Sequence, residues 1–129
     1  MRMIFAVAAA CALAGCATTH PASPGAENEV FTDLPAAPGM TYEKGSSYGH
    51  TSPSGRLREY RQDYIGSRRI EDVKRFYEEA FLVHGWVVVS SEGVDPATIT
   101  FEKRAEKCVV KLWNAGSLLK VNVHVTGKN

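Results

Sequence analysis

The chain has 129 residues, with 15 Lys+Arg against 14 Asp+Glu, 44% hydrophobic residues and three cysteines, which leaves room for one small domain. A two-domain enzyme is excluded. A formal charge of +1 supplies no long-range field that would draw nucleic acid or an acidic substrate.

Met1-Arg2 is followed by an apolar, small-residue run over 3–13, a basic start and a hydrophobic stretch too short to span a bilayer as a permanent helix. This predicts a secretory signal peptide. It ends in Leu13-Ala14-Gly15-Cys16, which resembles the lipobox of bacterial lipoproteins at every position. The resemblance implies a lipoprotein signal peptide over 1–15, with Leu13, Ala14 and Gly15 recognised by the lipoprotein signal peptidase and cleavage before Cys16. Cys16 then carries a diacylglycerol thioether, and its new amino group an acyl chain such as palmitate. No cofactor is expected beyond this covalent lipid. The chemistry suits the residue, because a thiol is nucleophilic enough to form the thioether and two or three acyl chains hold far more firmly than one. The competing readings are a plain A-x-A cleavage site with Cys16 incidental, or an amphiphilic start to a helix.

Maturation by this route removes Arg2 and no acid, taking the formal charge from +1 to zero. Cys11 leaves with the signal and Cys16 is consumed by lipid, so Cys108 stands alone and no intramolecular disulfide is expected. In enterobacterial lipoproteins an Asp after the lipidated cysteine favours the inner membrane. Ala17 here implies the outer membrane, facing the periplasm, and export removes nucleic acid from the expected partners.

Residues 16–38 shift to Ala, Pro, Thr, Ser and acids, and Pro21, Pro24, Pro35 and Pro38 argue against regular helix or central strand. A disordered tether is expected, about 25 Å across as a coil and about 70 Å as stretched polyproline. His20 is read as solvated within it.

Residues 39–129 are expected to form one small α+β domain. Residues 40–48 read as a first strand, ended by turn residues at 49–55. Residues 56–65 are ambiguous: Leu57, Glu59, Arg61, Asp63 and Ile65 fall on one face, Arg56, Arg58, Tyr60, Gln62 and Tyr64 on the other, and neither is cleanly apolar. A bulge or an edge position would resolve this. Residues 70–84 carry the clearest helix, with Ile70, Val73, Phe76, Tyr77, Ala80 and Phe81 in one stripe, Ser67 as N-cap and His84-Gly85 at the C-terminal end. Residues 86–91, 98–103, 108–114 and 118–125 then read as short strands of an antiparallel meander. In the last three, Ile99 and Phe101, Cys108, Val110 and Leu112, and Leu119, Val121, Val123 and Val125 make one apolar face for the helix to cover. The architecture expected is β-β-α-β-β-β, a two-layer sandwich of one helix on an antiparallel sheet.

Asp33-Leu34-Pro35, Pro38-Gly39-Met40, Phe76-Tyr77 and Gly85-Trp86 resemble a group of small bacterial envelope lipoproteins of uncharacterised function. The likeness spans most of the mature chain and consists of folding signals, with Gly85-Trp86 turning the chain into a buried strand. It implies fold and location and imports no catalytic residue.

Candidate chemistry is sparse. Gly45-Ser46-Ser47-Tyr48-Gly49 matches G-x-S-x-G with His50 after it, but an elbow needs a strand, a sharp turn and a helix in a large hydrolase sheet, so a loop of turn residues is the reading here. His50, His84 and His124 lack the paired spacing of a zinc site, and no metal is expected. His124 is read on the outer sheet face and His84 at the helix C-terminus. Cys108 alternates with Val110 and Leu112, as a buried, inert thiol does. Arg56, Arg58, Arg61, Arg68, Arg69, Lys74 and Arg75 are diluted by Glu59, Asp63, Glu71 and Asp72, as on a solvated mixed surface.

The informative oddity is the second sheet face. Val109, Lys111 and Trp113 lie on one strand and Leu118, Lys120, Asn122 and His124 on the next, beside Thr98, Thr100 and Glu102. Val109, Trp113 and Leu118 are the candidate patch for an envelope protein partner, unless the Pro-rich approach at 34–40 folds over it. The function expected is a membrane-anchored envelope lipoprotein with a small non-catalytic interaction domain. The alternative is a periplasm-facing module that binds a small ligand between helix and sheet, or an anionic polymer.

Overall fold

The computed structural model describes residues 31–53 and 58–128. Strands β1 Thr41–Tyr42, β2 Tyr48–Thr51 and β3 Arg58–Gly66 precede helix α1 Ile70–Val83, and β4 Val87–Glu92, β5 Ala97–Lys103, β6 Glu106–Ala115 and β7 Leu118–Gly127 follow it. All seven strands join one sheet in the order β1-β3-β7-β6-β5-β4, with β2 also on β3, and every pairing is antiparallel. The α+β class is as expected. The order is not β-β-α-β-β-β, because only Thr41–Tyr42 of the 40–48 segment pairs as β1, a second strand β2 forms at Tyr48–Thr51 where turn residues are expected, both on one edge of β3, and four strands follow the helix.

Alternation drives β5 to β7: Ile99, Phe101, Cys108, Val110, Leu112, Leu119, Val121 and Val125 are fully buried on one face. Ile70, Val73, Tyr77 and Phe81 cover that face from α1. The helix ends as its sequence signals. Trp86 N–H donates to Phe81 O at 3.1 Å and Gly85 N–H to Leu82 O at 3.1 Å, Gly85 takes φ +86°, and the Phe81 and Trp86 rings pack 5.9 Å apart, which together make a Schellman cap with its apolar contact. The N-terminal end differs: Arg69 is the N-cap, without a side-chain cap bond, so Ser67 is not the cap. Glu71 and Asp72 in the first turn supply the favourable charge instead.

Three further expectations fail, each for a physical reason. β3 runs in unbroken register between β1/β2 and β7, so it needs neither a bulge nor an edge position. Its helix-side face carries Tyr60, Gln62 and Tyr64 with Arg58, whose charge is met by partners from elsewhere. β4 is not a buried strand: only Trp86 before it is buried, while Val87, Val88 and Val89 are exposed on the free edge of the sheet, with a register shift between Val88 and Ser90. The tether does not extend to 38. Leu34, Ala37 and Met40 are buried in the core with Phe31 and Ala36 packed against it, on the helix side, so this segment leaves the opposite sheet face open. Prolines 35 and 38 bar regular structure there without barring burial.

Candidate functional site

The sheet face away from α1 is where the expected patch lies, and no described element covers it. Register places Val109 opposite His124, Lys111 opposite Asn122, Trp113 opposite Lys120 and Leu118 opposite Ala115. Trp113 and Leu118 are therefore diagonal neighbours, whereas Val109 stands two places along β6, beyond Lys111. Lys111 Nζ lies 6.0 Å from the Trp113 ring centroid, within reach of the ring's negative face. The three apolar side chains thus alternate with cations and amides.

Beside Trp113 the face dips into a recess of about 210 Å³, lined by Glu43, Ser46, Arg61, Asp63, Trp113 and Lys120 among others. Its floor is held by Asp63. One Asp63 carboxylate oxygen accepts from Asn122 Nδ2 at 2.6 Å and the other from Arg61 Nε at 3.3 Å. On the backbone, Asp63 N–H donates to Ser47 Oγ at 3.0 Å and Asp63 O accepts from Glu43 N–H at 2.8 Å. Ser47 Oγ in turn donates to Glu43 O at 2.8 Å. These bonds pin the link between β1 and β2 against β3. The Ser47 hydroxyl is a bracket in that link, its proton engaged by a carbonyl rather than a base, and His50 is exposed on β2 opposite Glu59. An elbow is absent here: the residues after Ser47 enter a strand, not a helix.

A second polar cluster lies on the helix side, where the described chain enters. Arg58 donates from Nε and Nη2 to Glu106 at 2.8 and 2.7 Å, and from Nη1 and Nη2 to Asp33 at 3.0 and 2.9 Å. Lys103 Nζ donates to Asp33 at 3.2 Å. The guanidinium also sits 4.6 Å from the Phe31 ring centroid, and Trp86 Nε1 donates to Asp33 O at 2.9 Å. All four carboxylate oxygens are engaged and two acids balance two bases, so the cluster clasps the entering chain to the sheet end. Burial alone would raise the Asp33 carboxyl, but Arg58 and Lys103 outweigh it and hold it below the ordinary value; Glu106, opposed by burial and joined by Asp33, raises Arg58. Sequence reading missed this clasp because its members are dispersed over 31–106. Its only local signals are an Asp before Leu34-Pro35 and charges flanking a tight turn.

The remaining candidates fall apart from one another. His84 is the helix C-cap residue, and His124 lies on the outer face with Nε2 3.9 Å from Glu59. Cys108 is buried, and burial pushes its thiol well above the ordinary range, which suppresses the thiolate. Among the described residues no three His, Cys, Asp or Glu side chains could share an ion, and no helix is long and apolar enough to cross a membrane. Leu13, Ala14, Gly15 and Cys16 lie outside the described residues, as do Arg56 and Leu57. No family model matches the chain, and no curated protein or solved structure shows significant similarity to it.

Proposed function

We propose that this chain is a lipid-anchored lipoprotein of the bacterial envelope, attached through Cys16 to the outer membrane and facing the periplasm, whose domain is a non-catalytic interaction module. The observation that carries the interaction reading is the sheet face that no described residue covers, with Trp113 at its recess. An antiparallel sheet tolerates a wet face, but a tryptophan with flanking Leu118, the cation Lys120 and a recess of about 210 Å³ is the composition of an interface centre. Trp113 supplies apolar area, and Lys120 offers a cation to the partner, since Arg61 is held by Asp63. The G-x-S-x-G motif gives no support to hydrolysis, since Ser47 is consumed in the loop bracket.

The centre of the space between helix and sheet is filled: Tyr77, Phe81 and Phe101 are fully buried, with ring centroids 5.5 and 4.6 Å apart in succession, and the open groove of about 320 Å³ on this side lies between the polar flank of α1 at Glu71 and Lys74 and the turn at Gly93-Val94.

Two measurements test the proposal. The intact mass of the mature protein should show loss of residues 1–15 and a diacylglycerol with or without an N-acyl chain on Cys16; an unmodified Cys16 ends the anchor reading. A photoactivatable residue at 113 should crosslink to one envelope protein in living cells, while the same residue at exposed Glu79 on α1 does not. Equal, diffuse labelling from both positions ends the docking reading.

A further inference from the structure

Strand direction divides the domain into two ends. β3, β4 and β6 begin, and β5, β7 and α1 finish, at the same end. The described chain enters there too, because Asp33 is clasped by Arg58 and Lys103. That end exposes large apolar side chains: Leu82 at 57%, Val83 at 82% and Val87 at 62%, at the close of the helix and the start of β4. Gly85 between them lies against Lys103, which leads into the β5–β6 turn. Lys128 N–H donates to Ala105 O at 2.7 Å, bringing the C-terminal strand to the same turn.

The charges at this end lean positive, with Glu59, 47% exposed and 3.9 Å from His124, the acid left without a Lys or Arg partner among the described residues. Asp33 and Glu106 are used up by Arg58 and Lys103, and Glu102 by Lys128 at 2.8 Å. Arg104 and Lys107 are exposed and pair with no acid among the described residues. Arg104 moreover holds φ +54°, a conformation glycine takes more readily, so a cation is kept at the tip where a smaller residue would sit with less strain.

We infer that this end of the domain rests on the bilayer that holds the lipid anchor, with Leu82, Val83 and Val87 against the acyl boundary and Arg104 and Lys107 on anionic headgroups. The inference rests on the anchor reading above. Phe31 stands fifteen residues after Cys16, so the link from lipid to domain cannot exceed about 50 Å even fully drawn out, and it arrives at the apolar end. Apolar residues with cations around them are what an interface-bound surface needs, and each cation near an anionic leaflet is worth about fivefold in binding.

The test uses the full mature lipidated chain in vesicles of phosphatidylcholine, with or without phosphatidylglycerol. A nitroxide is placed through Val83→Cys or, at the opposite end, Ser117→Cys, and its relaxation by oxygen and by an aqueous nickel chelate is measured. With anionic vesicles the label at 83 should gain oxygen and lose nickel accessibility several-fold relative to 117. Arg104→Gly should weaken docking about fivefold without lowering the melting temperature. Equal accessibility at 83 and 117 in a chain whose mass shows the lipid overturns the inference and leaves the anchor standing. Loss of both relaxants at 83 means a protein surface, such as a second copy on the free β4 edge, and overturns it as well. A chain without lipid on Cys16 overturns the anchor and the inference together.

Discussion

Arg58 is the residue on which the domain's polar economy turns. It stands on the helix-side face of β3, where an apolar residue would satisfy the pattern, and is kept there by two carboxylates that each receive two of its N–H bonds. Its side chain is 13% exposed against 21% for Asp33 and 15% for Glu106, so removing it leaves Glu106 poorly hydrated without a cation and Asp33 with Lys103 alone. Arg58→Met should cost about 3 kcal/mol of folding stability, read from urea midpoints, and Arg58→Lys should recover only part because an ammonium cannot serve both forks. A loss below about 1 kcal/mol would show the clasp to be solvent-screened. The same site sets an acid limb. Asp33 sits below its ordinary 3.8 in the folded state, so its contribution is complete above that value and is lost as pH falls through the lowered folded one. Asp33→Asn should therefore be less stable than wild type at pH 6, and the gap should narrow below pH 3; parallel curves would exclude Asp33 as the titrating group.

At the scale of elements, the segment 31–40 behaves as part of the core though it has almost no secondary structure. Leu34 is buried against the sheet and helix, and Leu34→Ala should cost about 2–3 kcal/mol, a loss no tether residue would show. Gly66 marks how closely this segment approaches β3: a Cβ there would meet Gly39 O at 2.6 Å and Met40 Sδ at 2.7 Å. Gly66→Ala should therefore lower the melting temperature by several degrees, with backbone displacement at 39–40 visible in amide shifts. What could be read from sequence was whatever periodicity and local caps dictate. The α1 stripe with Gly85-Trp86 behind it, and the alternating runs of β5 to β7, needed no knowledge of their partners. β3 was opaque because Arg58 and Gln62 face inward only when Asp33 and Glu106 arrive from distant parts of the chain. β4 misleads for the opposite reason: Trp86-Val87-Val88-Val89 reads as a buried run, and only topology, in which the helix crosses the sheet from β3 and delivers β4 beyond β5, leaves it on an edge. Of the site, Trp113 on the second face was legible from alternation. The recess was not, since it depends on Asp63 fixing the β1–β2 link through Ser47.

For the whole molecule, the two surfaces are set at different heights by the strands between them. β6 rises from Glu106 at the chain-entry end to Ala115 at the other, and at about 3.3 Å per residue Trp113 stands some 20–25 Å above the lipid if that end rests on it. Height is then a property of the folded domain and not of the linking chain. This separates the resting arrangement from a domain that floats on its tether, where distance from the membrane follows linker length. Energy transfer from a donor at Ser117→Cys to acceptor lipids should report a separation of about 30 Å, and deletion of residues 21–26 should leave it unchanged within a few ångströms. Leu82→Glu with Val83→Glu, both exposed and so nearly neutral for folding, should release the domain, broaden the distance distribution and make it respond to the same deletion. A separation that shortens with the deletion in the otherwise unaltered chain would mean that the linker sets the height, and that Leu82 and Val83 serve a partner other than lipid.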